Sequence, residues 1–513
     1  MQKNILYMKI LALYFIKNKY IIFLLILKFT SERRKPMSQF SERLTTFVEA
    51  TGFSIYQLSK KARIDRSTIH KVMVGERVPS ADFYKKLCRA LSLTPFEKRE
   101  LDDLFKMAKI GDKVYYRRNS VKRLVEELAG NTYAPTEDVS GREYKAFPAL
   151  DRGTQVIEGK NDINSVIIDV INDEIYHREA PHLAIALDFD HQFVYEYLYN
   201  AFVCAAGTVD IEHFIYLEKE TSRNDAIQKN LRHLQYILSF SLCGRDGYHP
   251  YYSYTNADPA QAVTTFLPYF IITNRHVLKL SRSFKTAILY DDASIVDFYQ
   301  QAADRLCRGL PKLTRRAEHI EDMYGWTREN LGDASLEPHP CLSLCLSGPR
   351  IEALVQPDIP GREAVCALAG EVYGPYHRGE KPLSRSFFSP EGLSAFMETG
   401  RICYFPESVV RCCRPEERKD FLREILAAVE GGETAFTLVD SDKFRTPLNV
   451  EIIKADEQQV IVQRFSEDSR QLNAVFIDEP GICEAFTDFF DYLPDSDLTL
   501  SREALINLLK SYL

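Results

Sequence analysis

Four short polar side chains constrain this chain more than any other feature. Ser54, Asp65, Ser80 and Thr94 each stand directly before a run whose apolar residues recur at helical spacing. At such a position a side-chain oxygen can accept from one of the backbone N–H groups that the first turn leaves without a partner. Ser54 with Gln57, and Thr94 with Glu97, have the spacing of a capping box, and Pro95 occupies the helix position that tolerates proline best. Gly52, Gly75 and Gly111 fall at the ends of these runs, where a left-handed residue stops a helix. The inward faces are Leu44, Phe47 and Val48, then Ile55, Leu58 and Ala62, then Ile69 and Val72, then Phe83, Leu87, Ala90 and Leu91, then Leu101, Leu104, Phe105 and Ala108. Five short capped helices in about 75 residues predict a compact all-α domain over residues 37–111.

Charge separates this segment from the rest of the chain. Residues 38–130 carry 19 Lys/Arg against 12 Asp/Glu, whereas residues 131–513 carry 38 against 59. A basic module on an acidic body suits a DNA reader joined to a domain that does not touch DNA, because phosphate neutralisation needs a local excess of cations. In the second run Ile69 and Val72 face inward, so Arg66, Ser67, His70 and Lys71 face outward.

The residues Leu58-Ser59, Ile64-Asp65-Arg66-Ser67-Thr68-Ile69, Gly75, Pro79-Ser80, Leu87 and Ala90-Leu91 resemble the Cro/C1-type (XRE) helix-turn-helix family over residues 38–111. The sequence departs from that pattern at Arg63, where the family has a turn glycine, and at Ser59, Met73 and Ile55. The resemblance implies that the outward face of the second motif helix reads the major groove of double-stranded DNA. Arg66 can donate two hydrogen bonds to guanine, Ser67 can serve either base edge, and Thr68, His70 and Lys71 lie on the same helix. Ser54, Tyr56 and Gln57, at the positive end of the preceding helix, and Arg77 in the following loop are placed for phosphate.

Residues 1–36 are apolar and basic, but the runs Ile10–Ile16 and Tyr20–Leu27 are short and interrupted by Lys17, Asn18 and Lys19, a poor fit to a membrane span. Arg33-Arg34 can be encoded by a ribosome-binding sequence at a suitable distance before Met37, so residues 1–36 are expected to be translated upstream sequence and Met37 the start. The 11 cysteines form no C-x-x-C pair and are expected to be reduced thiols in a bacterial cytoplasm.

Residues 112–160 are expected to form one amphipathic helix, Ser120–Ala129, and then a linker from Asn131 to Lys160. From residue 161 strand-like and helical patterns alternate, predicting an α/β or α+β body: a first unit over 161–307, a connector over 308–385 and a second unit over 386–513. The stretch AILYDDASIVDFYQQAADRL from Ala287 aligns without gaps to AVFIDEPGICEAFTDFFDYL from Ala474, which predicts two related units, with Ile295/Ile482, Tyr299/Phe486 and Leu306/Leu493 on the buried face of equivalent helices. This two-unit plan is similar to phospholipase-D-like sensor domains attached to some transcription factors, without the paired His-x-Lys signature of their active members.

Candidate chemistry in the body is sparse. Asp188, Asp190 and His191 follow a strand, where α/β ligand sites form, although Asp190 also suits a helix cap. His276 and Lys279 have a spacing that puts them on opposite faces of a strand. His339, Cys341 and Cys345, and the adjacent Cys412 and Cys413, lack the paired spacing of a structural zinc site. No H-E-x-x-H, phosphate loop, G-x-S-x-G or dinucleotide glycine motif is present. The expectation is a non-enzymatic, cytoplasmic transcriptional regulator with no cofactor and no metal. It would bind DNA, with a homodimer and a small-molecule effector as further partners and no membrane association. The alternatives are an enzyme or toxin–antitoxin protein whose helix-turn-helix only autoregulates its gene, and a scaffold whose body recruits polymerase.

Overall fold

The computed structural model describes residues 38–130, 153–188, 191–219, 226–255, 267–317, 332–465 and 473–513. The expectations for residues 1–36, for Met37, for most of the linker and for Asp190 lie outside these residues. The chain divides after Tyr115 into two compact units.

The first unit contains α1 (Gln39–Ala50), α2 (Ile55–Ala62), α3 (Arg66–Met73), α4 (Ala81–Leu91) and α5 (Pro95–Ile110). Ser54, Asp65, Ser80 and Thr94 cap their helices as the sequence predicts, each accepting from a first-turn N–H, Ser38 caps α1 in the same way, and Ser54/Gln57 and Thr94/Glu97 form full capping boxes. Leu44, Leu58, Ile69, Val72, Leu87 and Leu101 are wholly buried in one core. Each such side chain contributes about 1.5–3 kcal/mol. Tyr84 stacks on Phe105 with ring centroids 4.1 Å apart and donates to Asp102 at 2.7 Å, while Arg43 pairs with Glu100 at 2.7 Å to join α1 and α5.

A sixth helix, α6 (Asp112–Ala129), begins directly after Gly111, eight residues earlier than the sequence pattern suggests. Val121, Leu124 and Val125 belong to the core of the second unit, which explains why only the Ser120–Ala129 part shows an amphipathic stripe.

The second unit holds two seven-stranded sheets. In chain order the elements of the first are β1 (Gln155–Glu158), α7 (Lys160–His177), β2 (His182–Ala186), α8 (Gln192–Cys204), β3 (Asp210–Glu218), α9 (Ala226–Ser241), β4 (Tyr248–Thr255), β5 (Tyr269–Ile272), β6 (Val277–Leu280), β7 (Thr286–Tyr290) and α10 (Ala293–Gly309). The second has β8 (Thr314–Arg316), β9 (Ala334–Leu336), α11 (Gly348–Leu354), α12 (Arg362–His377), β10 (Arg385–Phe388), α13 (Pro390–Thr399), α14 (Pro415–Gly431), β11 (Phe436–Leu438), β12 (Val450–Lys454), β13 (Val460–Arg464), β14 (Asn473–Ile477), α15 (Pro480–Tyr492) and α16 (Arg502–Ser511).

Four local features depart from the sequence patterns or add to them. Gln155–Glu158, expected as linker, is an edge strand antiparallel to β7. The apolar run Phe270–Leu280 is long enough to read as one strand but forms a hairpin, β5 and β6, whose turn is closed by Thr273 N–H donating to the His276 carbonyl at 2.8 Å. β4, with Pro250 and a row of tyrosines, carries no clear alternation, and it pairs in parallel with β3. The segment 308–385, expected as connector, holds β8 and β9, both of which pair within the second sheet.

The sheets are duplicates in topology. The first runs β1-β7-β6-β5-β2-β3-β4, and the second, read in the same direction, runs β8-β14-β13-β12-β9-β10-β11. Each pairing also keeps its sense: β2/β3 and β3/β4 are parallel, as are β9/β10 and β10/β11, and the other four pairs of each sheet are antiparallel. The gapless alignment is kept in the fold: Asp292 caps α10 by accepting from Ser294 and Ile295 N–H, and its counterpart Glu479 caps α15 by accepting from Gly481 and Ile482 N–H. One expectation fails. Ile482, Phe486 and Leu493 are buried, but Leu306 is 42% exposed and Ile295 and Tyr299 are only half-buried. The reason is that α15 packs against α9 and α6, with Arg117 paired to Glu484 and Arg118 to Asp488 at 2.8 Å each, whereas the outer face of α10 has no such cover among the described residues.

Candidate nucleic-acid interface

The motif α2–turn–α3 is held from three sides. Leu58 and Ala62 of α2 and Ile69 and Val72 of α3 are buried together. Arg63, at the turn, adopts φ 54° and ψ 49°, the left-handed conformation in which an L-residue is disfavoured. Its neighbour Ser59 explains how the turn accommodates it: the Ser59 hydroxyl donates to the Ile64 carbonyl at 2.6 Å, and Ile64 N–H donates to the Ser59 carbonyl at 3.1 Å. These two departures from the family pattern therefore sit across one turn. At the far end of α3, Ser41 donates to the Val72 carbonyl at 2.8 Å and Thr45 to the Met73 carbonyl at 3.3 Å, so α1 satisfies carbonyls that the last turn leaves open.

The outward face follows from this anchoring. Arg66, Ser67, His70 and Lys71 are exposed on α3, Thr68 is half-buried, and Arg77 is exposed beyond Gly75, whose φ is 79°. Ser54, Tyr56 and Gln57 are exposed on the first turn of α2, Tyr56 at 54%. Between Ser54 and Arg77 six Lys/Arg stand against two Asp/Glu, and all six cations are exposed. Lys60, Lys61 and Arg63 enlarge this basic surface beyond the residues singled out from the sequence. Lys60 lies over the Tyr56 ring, 4.7 Å from its centre, and Lys61 over Phe53 at the same distance, which explains two exposed aromatics.

Not every expected contact residue is equally available. Ser67 donates to Asp65 at 2.6 Å and Thr68 N–H donates to the same oxygen at 3.0 Å, so Ser67 forms part of the α3 cap. These bonds hold the Asp65 carboxyl below its ordinary range, Ser67 contributing most. Gln57 is likewise occupied, its side-chain oxygen accepting from Ser54 N–H at 2.9 Å and from the Ser54 hydroxyl at 3.0 Å.

The body candidates fall in separate places, except that His191 N–H donates to the Asp188 carbonyl at 3.2 Å. Asp188 accepts from Tyr269 at 2.5 Å, and His191 stacks on Phe284. His276 is buried 3.8 Å from Asp173 and Lys279 lies over Phe270 and Tyr299, so the two do not meet. His339 is buried between Phe396 and Tyr404 and accepts from Cys403 N–H at 3.0 Å, with its pKa pushed down to about 4 by burial. Cys341 bonds Ser343, Cys345 lies against the Phe421 carbonyl, and burial pushes the Cys413 thiol up to about 12. Among the described residues no group of three His, Cys, Asp or Glu side chains could hold a metal ion, and no helix is long and apolar enough to cross a membrane.

Fold and surface together define a helix-turn-helix domain joined to a duplicated α/β body. A family model described as a helix-turn-helix domain matches residues 39–101. Among solved structures the chain is similar to TrmBL2, an archaeal chromatin protein whose structure is described as showing a novel mode of DNA binding. Identity is 11%, over 55% of this chain and 96% of that one, with a TM-score of 0.23. It is also similar to polyphosphate kinase from Porphyromonas gingivalis, with 10% identity over 88% of this chain and 65% of that one and a TM-score of 0.21. Both TM-scores are too low to assign a shared fold. No curated protein matches the chain.

Proposed function

We propose that the chain is a sequence-specific DNA-binding transcriptional regulator of the Cro/C1 type, acting in a bacterial cytoplasm. The observation that carries this reading is the exposed cationic face of α3, held on a buried Ile69/Val72 anchor within the residues that the helix-turn-helix model matches. Arg66 reads a base edge, with His70 and Lys71 beside it. Arg77 and the first turn of α2, carrying Ser54, Tyr56 and Gln57, bind phosphate, where backbone N–H groups and the helix dipole favour an anion. Ser67 and Thr68 contribute only if the Asp65 cap rearranges. The acidic body pairs two copies, so that two α3 helices meet half-sites about 34 Å apart, or binds a small-molecule effector. It performs no catalysis and needs no cofactor.

The test is a pair of substitutions on a selected duplex. Arg66→Ala is expected to cost about 1–3 kcal/mol and relax one base position, while Arg77→Ala weakens all sequences alike and reduces the salt slope by about one. If Arg77→Ala alters sequence preference and Arg66→Ala does not, the assignment of faces is wrong.

A further inference from the structure

We infer that Asp65, beyond capping α3, reads a cytosine within one base-pair step of the guanine read by Arg66, so that each half-site carries both bases. This role rests on the DNA reading above and adds a specificity-determining residue to it.

The place of the carboxylate comes from its hydrogen bonds. At about 100° per residue, His70, Ser67 and Lys71 follow one another around the outward side of α3, with Ser67 in the middle. Ile69 and Val72, on the opposite side, are buried in the core. Asp65 stands just before the helix in extended backbone and is exposed, as is Arg66 beside it. The Ser67 hydroxyl donates to Asp65 Oδ1 at 2.6 Å, which holds the carboxylate against the middle of the cationic face.

One of its oxygens carries the whole cap. The bonds from the Ser67 hydroxyl at 2.6 Å, from Thr68 N–H at 3.0 Å and from the Thr68 hydroxyl at 3.4 Å all fall on Oδ1. Oδ2 takes none of the three. Ser67 above all, with Thr68, holds the carboxyl below its ordinary range, so the group is ionised at neutral pH and can only accept.

Capping does not need that charge. Serine and asparagine cap about as well as aspartate, and Ser38, Ser54, Ser80 and Thr94 cap α1, α2, α4 and α5. A carboxylate on a face turned to DNA is repelled by phosphate, so a neutral cap would bind any sequence more tightly. What the carboxylate adds is selection. In the major groove cytosine alone presents only a donor, its N4 amino group, whereas guanine and thymine present acceptors and adenine sets its N7 acceptor beside its N6 donor. An acceptor-only side chain therefore favours cytosine. Arg66, with donors and no acceptor, has the opposite preference, for guanine. Neighbouring residues of opposite complementarity are satisfied by the two bases of one G·C pair or by adjacent pairs.

Selection from a random-sequence duplex pool by the full chain tests this, with Arg66→Ala run beside the parent to mark the guanine position. Within one step of that position the parent should enrich cytosine about tenfold over the other bases. Asp65→Asn keeps the cap and offers an amide that pairs with adenine N6 and N7, so the preference there should move from cytosine to adenine with an unchanged thermal melt. Asp65→Ser also keeps the cap and should flatten the preference, since a hydroxyl serves either kind of base edge. A residue that only caps would leave the selected sequence the same in all of these proteins. A parent site without cytosine at that position, or either Asp65 variant still selecting cytosine there, would overturn this role while the DNA reading stands. A parent that enriches no sequence would overturn both.

Discussion

Arg63 shows how a single residue can be read twice. Its place in the motif indicates a turn that favours glycine, and the structure gives it φ 54°, with the Ser59 bridge beside it. A left-handed L-residue costs about 1–2 kcal/mol, so Arg63→Gly is expected to stabilise the first unit by about 1 kcal/mol, measured by denaturant unfolding. A loss of stability would show that the guanidinium makes a compensating contact. In the body, Glu337 directly after β9 and Glu451 on β12 flank the Leu336/Ile452 pair, and are 2% and 6% exposed. Burial pushes Glu451 up to about 7 from 4.5, even though Gln463 donates to it, and burial together with the Glu451 charge pushes Glu337 up further. A folded carboxyl with a raised pKa keeps its proton where the unfolded chain has lost it. Its contribution to stability therefore falls as pH rises from about 4.5 through 7. Buried His213, His233 and His339, pushed down to about 3, 4 and 4, act in the opposite sense, costing stability as pH falls below 6.5. The difference between Glu451→Gln and the parent isolates the carboxyl. The melting temperature of the variant should gain on the parent between pH values of about 5 and 7.5, and a constant difference across that range would refute the shifted carboxyl.

At the scale of the element, what was legible depended on where each helix or strand finds its partners. The helices of the first unit are specified locally: caps, stop glycines and stripes lie within a few residues of one another, and all five appear where those signals put them. Removing one signal should be felt. Asp65→Ala removes the acceptor for Thr68 N–H and is expected to cost about 1 kcal/mol of stability, while freeing Ser67; denaturant unfolding reads it. The same substitution at Asp292 tests the first copy of the body's repeat, whose cap is built alike. Strands were less legible because their partners are remote. β4 has proline and tyrosines where alternation would mark a strand, and β8 and β9 are only three residues each, below the length at which a period of two can be read. Of the interface, the cations of α3 were readable from helical phase and the Ser54/Gln57 capping box from its spacing, but the engagement of Ser67 in the Asp65 cap was not, since capping and base contact use the same hydroxyl.

At the scale of the whole molecule, the gapless match between Ala287 and Ala474 was the visible trace of a duplication that extends to all fourteen strands in order and sense. It was visible there because β7/α10 and β14/α15 keep the same spacing, whereas the β2 to β5 regions and their counterparts differ. The acidic body and the basic first unit then divide the work by charge: cations that could neutralise phosphate are concentrated before residue 130, and the remainder repels it. Everything proposed for the molecule depends on the first unit reading DNA sequence. Selection from a random-sequence duplex pool by the purified full chain, repeated across a salt titration, tests it most directly. A sequence reader should enrich a defined half-site, with affinity falling as salt rises. No enrichment at any salt concentration would contradict it.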